Sequence, residues 1–315
     1  MSSTLVSDGS RPRVTVVVPT RDRPGMLDRC LGSVAPQLQP GDELLVVDSA
    51  SHATAELSAV AARHGARLLR SDRAGASVAR NLGWRAARSE LVCYADDDVW
   101  VDAGWVTAFA STLAAHPEAA FVTGRIDIPA GQHARFPVSI KDDPAPATYR
   151  RDSAGVAGHA ASLALRREAL TRVGGWDEEL GAGARFPGAE ELDLFDRIYL
   201  TGACGRYEPA ARAWHDQWRD LPTLVRLGWR YGVGAGARMA KLARADRKRL
   251  RFAAVESFWS WHVRDLLRHR ANRDRFIMAV TAARLAGTVC GFARALWMPV
   301  VAGHLRPRRE RNTAS

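Results

Sequence analysis

The chain has 315 residues, of which 47% are hydrophobic and 25% are charged. This composition is ordinary for a soluble globular protein, and the length allows one large domain or two. The four cysteines lack metal-ligand spacing and give no support to a disulfide framework, which predicts reduced thiols in a cytoplasmic setting. Residues 1–13 are polar and lack the apolar core of a signal peptide.

The net charge of +11 is unevenly spread along the chain. Residues 212–315 contain 22 basic and 7 acidic residues, a net charge of +15, whereas the rest of the chain carries −4. This asymmetry predicts a polyanionic partner, either nucleic acid or an anionic membrane. The sequence has no helix-turn-helix, zinc or RNA-binding pattern, so we expect contact with an anionic membrane and no nucleic acid.

Strands and helices alternate through the first hundred residues. The predicted strands cover 13–18, 43–47, 66–69 and 90–94, and the predicted helices cover 26–38, 53–64 and 77–89. The first strand is a β-branched run of the kind found in buried parallel strands. Because strand and helix alternate, right-handed crossovers should build a parallel sheet with helices on its faces.

Polar residues gather where the predicted strands end. Thr20 and Arg21 follow the first strand, Asp48 follows the second, and the acidic triplet 96–98 follows the fourth. Open α/β sheets bind ligands along this edge. Three adjacent carboxylates repel one another unless something positive lies among them, and hard oxygen ligands suit Mg²⁺ or Mn²⁺ bound to phosphates. The alternative is a solvated acidic turn.

Two segments are predicted to be long loops. Residues 130–155 are rich in Pro, Asp and Arg, and residues 181–188 are rich in glycine. Loops of this length are often lids over a site. The glycines would let the following segment, which begins at Glu190, lie close to a bound ligand, although a plain connector is the alternative.

Six segments, in order along the chain, resemble the family 2 glycosyltransferases of the GT-A fold. They are 16–23, 46–51, 75–83, 96–98, 166–178 and 190–194. The triplet 96–98 resembles the DXD motif of that family, and 190–194 resembles its Glu-Asp-x-Asp-Leu motif. The resemblance covers 12–216 and implies an α/β fold with a GT-A, Rossmann-like, mostly parallel sheet flanked by helices. Residues 217–315 would then form a separate basic α-helical C-terminal region.

The resemblance also implies an activity and a set of site residues. It implies inverting transfer of a sugar from a UDP-, dTDP- or GDP-linked donor to a hydroxyl of a glycan or lipid-linked acceptor, with Mg²⁺ or Mn²⁺ as cofactor. Donor contacts would be Pro19, Thr20, Arg21, Asp48, Arg80, Asp96 and Asp97, with Asp96 on the ribose. The metal ligands would be Asp98 and His215, the acceptor contacts Trp176 and Glu190, and the general base Glu191.

The sequence departs from the family pattern at two positions that bear on the site. Ser49 stands where a second aspartate is usual after the second strand, which changes how the nucleobase is held. Glu191 stands where the family has aspartate, so the base would reach about one C–C bond further. His159 and His262 match no motif and are interpreted as structural. Four tryptophans could stack on a sugar face, but core filling is expected for most of them: Trp100, Trp105, Trp176 and Trp218.

The C-terminal region is predicted to be helical over 224–239, 241–251, 252–270 and 276–305. Arg284 and Arg294 interrupt the last apolar run, which argues against a simple transmembrane helix. We therefore expect the helices of 252–305 to lie in the plane of an anionic membrane on the inner face of the cell. The alternative is that these helices pack on the catalytic domain and keep a solvated basic face.

Two other functions compete with sugar transfer. A sugar-nucleotide nucleotidyltransferase would need a glycine-rich phosphate loop after the first strand, and residues 19–22 are not one. A membrane-surface scaffold without catalysis would use the basic tail but would not require the acidic triplet. Protection by UDP or dTDP in the presence of Mn²⁺ would separate these possibilities.

Overall fold

The computed structural model describes residues 11–132, 138–153, 155–254 and 274–307. Its strands are β1 (Val14–Thr20), β2 (Glu43–Ser49), β3 (Arg67–Ser71), β4 (Leu91–Ala95), β5 (Val99–Val101), β6 (Ala119–Asp127), β7 (Ala147–Tyr149), β8 (Ser162–Arg166), β9 (Cys204–His215), β10 (Val300–Val301) and β11 (His304–Leu305). Its α-helices are α1 (Pro24–Val34), α2 (Thr54–Arg63), α3 (Ala76–Ala86), α4 (Trp105–Ala115), α5 (Arg167–Val173), α6 (Glu190–Leu200), α7 (Leu221–Ala245), α8 (Arg247–Ala253) and α9 (Arg275–Leu296).

The main sheet has the strand order β3-β2-β1-β4-β8-β6-β9-β5, and β7 pairs with β9 outside this path. The strands β3, β2, β1 and β4 are parallel, which confirms the α/β fold with helical crossovers. Beyond β4 the sheet is mixed, because β8 runs antiparallel to both of its neighbours. The carboxyl ends of β1, β2 and β4 therefore meet at one edge of the sheet.

The sheet is buried on both faces. On β1, Val16 and Val18 face one apolar cluster and Val17 faces the other, and all three side chains are fully buried. Each such side chain contributes about 1.5–3 kcal/mol relative to exposure, which explains why this strand is an uninterrupted apolar run. A Cβ at Gly83 would overlap Val17, so the glycine lets α3 lie directly against the sheet.

The C-terminal elements differ in part from the predicted ones. The helix predicted over 276–305 ends at Leu296, and the hairpin of β10 and β11 follows it. Pro299 and the left-handed Gly303 break the helix there. Residues 252 and 253 are the last two of α8, and residues 255–270 of the helix predicted over 252–270 lie outside the described residues.

Helix α7 is continuous through its four glycines, Gly228, Gly232, Gly234 and Gly236. A Cβ on Gly232 would overlap the backbone of α9, and so would one on Gly236. Gly287 and Gly291 of α9 lie against the backbone of α7 in the same way. Small residues at this spacing allow two helices to approach closely, so the glycines form the contact between α7 and α9.

Buried ion pairs join the C-terminal helices to α6. Asp196 of α6 accepts hydrogen bonds from Arg238 of α7 and Arg249 of α8, with shortest distances of 2.5 and 2.9 Å. Lys241 of α7 lies 2.5 Å from Asp193 of α6 and 2.6 Å from Asp177. These contacts are those of the alternative interpretation, in which the C-terminal helices pack on the catalytic domain. The division at residue 216 stays a prediction.

Candidate active site

The acidic triplet occupies the turn between β4 and β5. Val99 N donates to Asp96 O at 3.2 Å and closes the turn, while β5 pairs with β9 and brings His215 beside the triplet. Each of the three carboxylates has its own cationic partner. The positive charges that offset the repulsion among the three carboxylates therefore include side chains of the protein itself.

The middle carboxylate, Asp97, faces β1 and the start of α1. Its Oδ2 accepts from Thr20 Oγ1 at 2.8 Å, and Arg23 Nη1 lies 3.1 Å from Oδ1. Burial raises the pKa of Asp97 to about 6, although the Arg23 charge opposes this. Asp97 therefore ties the end of β1 to the turn and shows only 5% of its surface.

The third carboxylate, Asp98, lies beside His215 at the end of β9. The His215 Nε2 to Asp98 Oδ1 distance is 3.5 Å, and each side chain is only 3% exposed. The Trp218 indole donates to Asp98 Oδ2 at 3.1 Å, and Arg219 Nη2 lies 3.4 Å from the same oxygen. Burial raises the pKa of Asp98, but His215 first, and then Trp218 and Arg219, hold it well below its usual value, so this carboxylate stays ionised.

The donor set at Asp98 fits a divalent cation in part. An ionised carboxylate and an imidazole supply two ligands, and the Gln217 amide fixes the ring through a 2.8 Å contact at His215 Nδ1. Among the described residues no group of three or more His, Cys, Asp or Glu side chains could hold a metal. Mg²⁺ commonly completes such a set with substrate phosphates and water, so two protein ligands are consistent with a metal that arrives with its nucleotide.

The first carboxylate, Asp96, is linked through Arg80 to α6. Arg80 Nη2 donates to Asp96 Oδ1 at 2.7 Å, and Arg80 Nη1 donates to Glu190 Oε1 at 3.1 Å. The Arg80 side chain is only 3% exposed, while that of Asp96 is 31% exposed. Arg80 was predicted to contact the donor, but its guanidinium is engaged by two carboxylates and holds them in place.

Two adjacent glutamates begin α6 and have opposite surroundings. Burial and the neighbouring Glu191 charge raise the pKa of Glu190 above its usual value, although Arg80 opposes this. Glu191 lies beside His159, with 3.3 Å between His159 Nδ1 and Glu191 Oε1. Burial disfavours the Glu191 charge most strongly, but the hydrogen bond and charge of His159, a backbone N–H and the Arg80 charge together outweigh it, so the pKa of Glu191 lies below its usual value. Arg80 thus links Glu190, the neighbour of the predicted base, to Asp96 of the triplet.

The remaining predicted donor contacts have mixed placements. Asp48 is 1% exposed, pairs with Arg70 and accepts from Ser51 N at 2.9 Å. Pro19 and Thr20 are buried at the end of β1. Arg21 is half exposed, and its nearest carboxylate, Asp22, lies 3.9 Å away. Asp48 and Thr20 therefore lie at the ligand edge, whereas Arg21 points toward solvent.

Trp176 does not have the placement predicted for an acceptor contact. Its side chain is fully buried, meets Tyr94 edge-on at 5.3 Å between ring centroids, and lies under the Arg80 guanidinium. A ring with no exposed face cannot stack on a sugar. The physical reason is the glycine turn at Gly174 and Gly175, which directs the indole into the core, where it supports Arg80 from below.

Sequence reasoning missed four side chains at the site. They are Arg23, Trp218 and Arg219 around Asp98, and His159 beside Glu191. The guanidiniums of Arg23 and Arg219 lie 4.8 and 4.6 Å from the centroid of the Trp218 ring, which is 43% exposed. The Trp218-Arg219 pair comes shortly after the predicted ligand His215, and this proximity was the available signal. His159 gave none, because it joins the site only through the pairing of β8 and the position of α6.

Comparison with known proteins identifies the family of the chain. The family model for glycosyl transferase family 2 matches residues 15–174. The pre-mycofactocin glycosyltransferase of Mycobacterium tuberculosis is 28% identical over 237 residues, which is 73% of this chain and 48% of the relative. The chain therefore spans about half the length of the curated relatives it matches.

Two solved structures share the fold. The mannosyltransferase PcManGT from Pyrobaculum calidifontis, in complex with GDP-Man and Mn²⁺, has a TM-score of 0.61 and 20% identity, covering 91% of this chain and 88% of that one. GalNAc-T7, with UDP, GalNAc and Mn²⁺, has a TM-score of 0.52 and 16% identity, covering 85% and 59%. With the family model matching half of the chain and the fold shared with these enzymes, the chain belongs to glycosyl transferase family 2 and has the GT-A fold.

Proposed function

We propose that this family 2 glycosyltransferase transfers a sugar from a nucleotide-sugar donor to an acceptor hydroxyl, with inversion at the anomeric carbon. One observation carries the proposal: Arg80 joins Asp96 of the acidic turn to Glu190, next to the predicted base Glu191. The donor edge and the base are thereby held on one framework. PcManGT, solved with GDP-Man, and GalNAc-T7, solved with UDP, support a nucleotide-sugar donor.

Asp98 and His215 would hold a divalent metal at the donor diphosphate. The Mn²⁺ in the two solved neighbours supports this assignment, together with the low pKa of Asp98. When bound, such a metal supplies positive charge to the departing diphosphate. Arg23 and Arg219 face the same carboxylate and would add to that charge, while the partly exposed Asp96 would accept a hydrogen bond from the ribose.

Glu191 would act as the general base in a single displacement. Its ionised carboxylate takes the proton of the acceptor hydroxyl while that oxygen bonds to the anomeric carbon. The bond from that carbon to the diphosphate oxygen breaks at the same time, and its electron pair leaves with the nucleoside diphosphate. Attack opposite the leaving group inverts the configuration.

The proposal is tested by release of nucleoside diphosphate from a panel of UDP-, GDP- and dTDP-sugars with Mn²⁺ and candidate acceptors. Glu191→Gln should reduce kcat by about 10²-fold or more with little change in donor binding, because glutamine has nearly the same shape as glutamate but cannot act as a general base. A larger effect of Glu190→Gln would assign the base to the other glutamate. Release from no donor in the panel would contradict the proposed function.

We also propose that the C-terminal region contacts an anionic membrane, where a lipid-linked acceptor would be presented. By length and composition, one helix in the described part of the chain, α9, could cross a membrane. Its outer face is an exposed apolar stripe at helical spacing: Ala282, Ala286, Val289 and Ala293, continued by Trp297 at 71% exposure. Exposed arginines flank the stripe at Arg275 and Arg294, which suits anionic lipid headgroups.

A further inference from the structure

His159 meets Glu191 from a segment that the fold holds rigidly. Thr123 Oγ1 of β6 donates to Ala157 O. Gly158 has a φ of +151°, and a Cβ there would overlap the Thr123 side chain. The backbone immediately before His159 is therefore clamped to the sheet. Ser162 N donates to His159 O at 3.2 Å and fixes the other side of the residue.

Glu191 is held just as firmly from its own side. It stands in the first turn of α6, after Gly188 and the left-handed Ala189, which has a φ of +61°. Negative side chains are favoured at a helix N-terminus, where the backbone N–H groups face them. The side chains of His159 and Glu191 are 25% and 15% exposed, so the pair lies at the wall of the site with limited access to water.

We propose that His159 is a positioning residue for the base: its Nδ1–H donates to Glu191 Oε1 and leaves Oε2 directed at the acceptor hydroxyl. This inference rests on the proposed role of Glu191. A carboxylate with one oxygen occupied presents the other in a defined orientation, as a histidine is oriented by its own carboxylate partner in other acid–base sites. The same hydrogen bond favours the ionised form, which is the form a base requires.

The other charged and titratable groups that face Glu191 come from three elements. Glu190 is its neighbour on α6, Arg80 approaches from α3, and Tyr231 faces both glutamates from α7. Glu190 is engaged by Arg80 at 3.1 Å, which leaves His159 as the described side chain within hydrogen-bond distance of Glu191. Removing His159 should therefore affect Glu191 before any other group.

The test compares His159→Leu, His159→Asn and wild type in two measurements. The asparagine amide can donate from about the position of Nδ1, whereas leucine cannot. His116→Leu is the matched control, because His116 Nδ1 also lies 3.3 Å from a glutamate oxygen, on Glu118 and outside the site. The first measurement is the pH dependence of kcat with the donor found in the panel. The second is the ¹³C titration of Glu191 in glutamate-labelled protein, with its signal assigned by Glu191→Gln.

His159→Leu should lower kcat by about 10-fold or more and raise the pKa of Glu191 by about 1, with the donor KM unchanged. His159→Asn should keep most of the wild-type kcat and a Glu191 pKa close to that of wild type. His116→Leu should change neither kcat nor the pKa of Glu191. The proposal would be overturned if His159→Leu changed neither the acid side of the pH profile of kcat nor the ¹³C titration of Glu191. A loss of kcat without either shift, and without rescue by asparagine, would overturn it too. A wild type that uses no nucleotide sugar would contradict the proposed function, while the titration would still decide the pairing.

Discussion

At the residue scale, the surroundings of two adjacent glutamates shift their pKa values in opposite directions. Burial and the neighbouring Glu191 charge raise the pKa of Glu190, although Arg80 opposes this. Burial also opposes the charge of Glu191, but His159, a backbone N–H and Arg80 together lower its pKa. Like charges this close cannot both be ionised without cost, so one carboxylate keeps its proton to higher pH. These opposite pKa shifts leave the site with one carboxylate, Glu191, that is suited to act as a base near neutral pH.

The glutamate pair predicts opposite effects on the pH dependence of stability. For Glu190, the folded pKa exceeds the unfolded value of about 4.5, so its contribution is present at low pH and is lost as the pH rises through the folded value. For Glu191 the folded pKa is the lower one, so its contribution is present above about pH 4.5 and is lost as the pH falls.

Thermal unfolding from pH 3 to pH 8 checks this prediction, because the Glu191 effect lies below about pH 4.5 and the Glu190 effect above it. Relative to wild type, Glu190→Gln should gain stability as the pH rises, and Glu191→Gln should lose stability as the pH rises from the acid side. Each variant is the control for the other, because the substitution is the same and the positions are adjacent. Curves that move in the same direction would contradict the assigned environments.

At the scale of elements, α6 is the shared support of the site and the C-terminal helices. Its first turn carries Glu190 and Glu191, and its next turns carry Asp193 and Asp196, which bind α7 and α8. Gly188, just before α6, also packs against Tyr231 of α7. The helices after residue 216 thus form one wall of the catalytic region in this structure.

Asp196→Asn should destabilise the protein by about 3 kcal/mol or more, because it removes the negative charge that pairs with two buried guanidiniums, those of Arg238 and Arg249. Urea unfolding measures the change in the free energy of unfolding. Asp72→Asn is the control, since the Asp72 side chain is 96% exposed and lies 3.5 Å from Arg70. Equal midpoints for the two variants would show that the ion pairs between α6 and the C-terminal helices contribute little.

At the scale of the whole molecule, the sequence predicted the sheet well because β1, β2 and β4 are buried runs whose ends carry polar residues. The predicted Asp98–His215 proximity is present because β5 pairs with β9, as the family order implied. The sequence could not place His159 or Arg23, because long-range packing brings them to the carboxylates. Trp176 was misassigned for a similar reason, since its glycine turn faces inward and not toward the ligand edge.

Vesicle sedimentation checks the proposed membrane contact. Full-length protein should pellet with vesicles of phosphatidylserine and phosphatidylcholine at low salt, and more weakly at high salt, because each basic residue near the surface contributes about 1 kcal/mol that salt screens. The double variant Val289→Ser, Trp297→Ser should lose the salt-resistant part, and Leu200→Ser, exposed elsewhere, should not. Wild type that stays in the supernatant at low salt would contradict the proposal and favour a soluble acceptor.

Donor binding at the acidic turn is tested most directly by thermal protection with UDP or GDP, with and without Mn²⁺. Wild type and Glu191→Gln should both gain stability only when nucleotide and Mn²⁺ are present together, since Glu191 is proposed to act on the acceptor. Asp98→Asn should lose this joint protection, because it removes the charge that faces the metal and the diphosphate. Protection of Asp98→Asn equal to that of wild type, or full protection in EDTA, would contradict metal-assisted binding of a nucleotide sugar at this site.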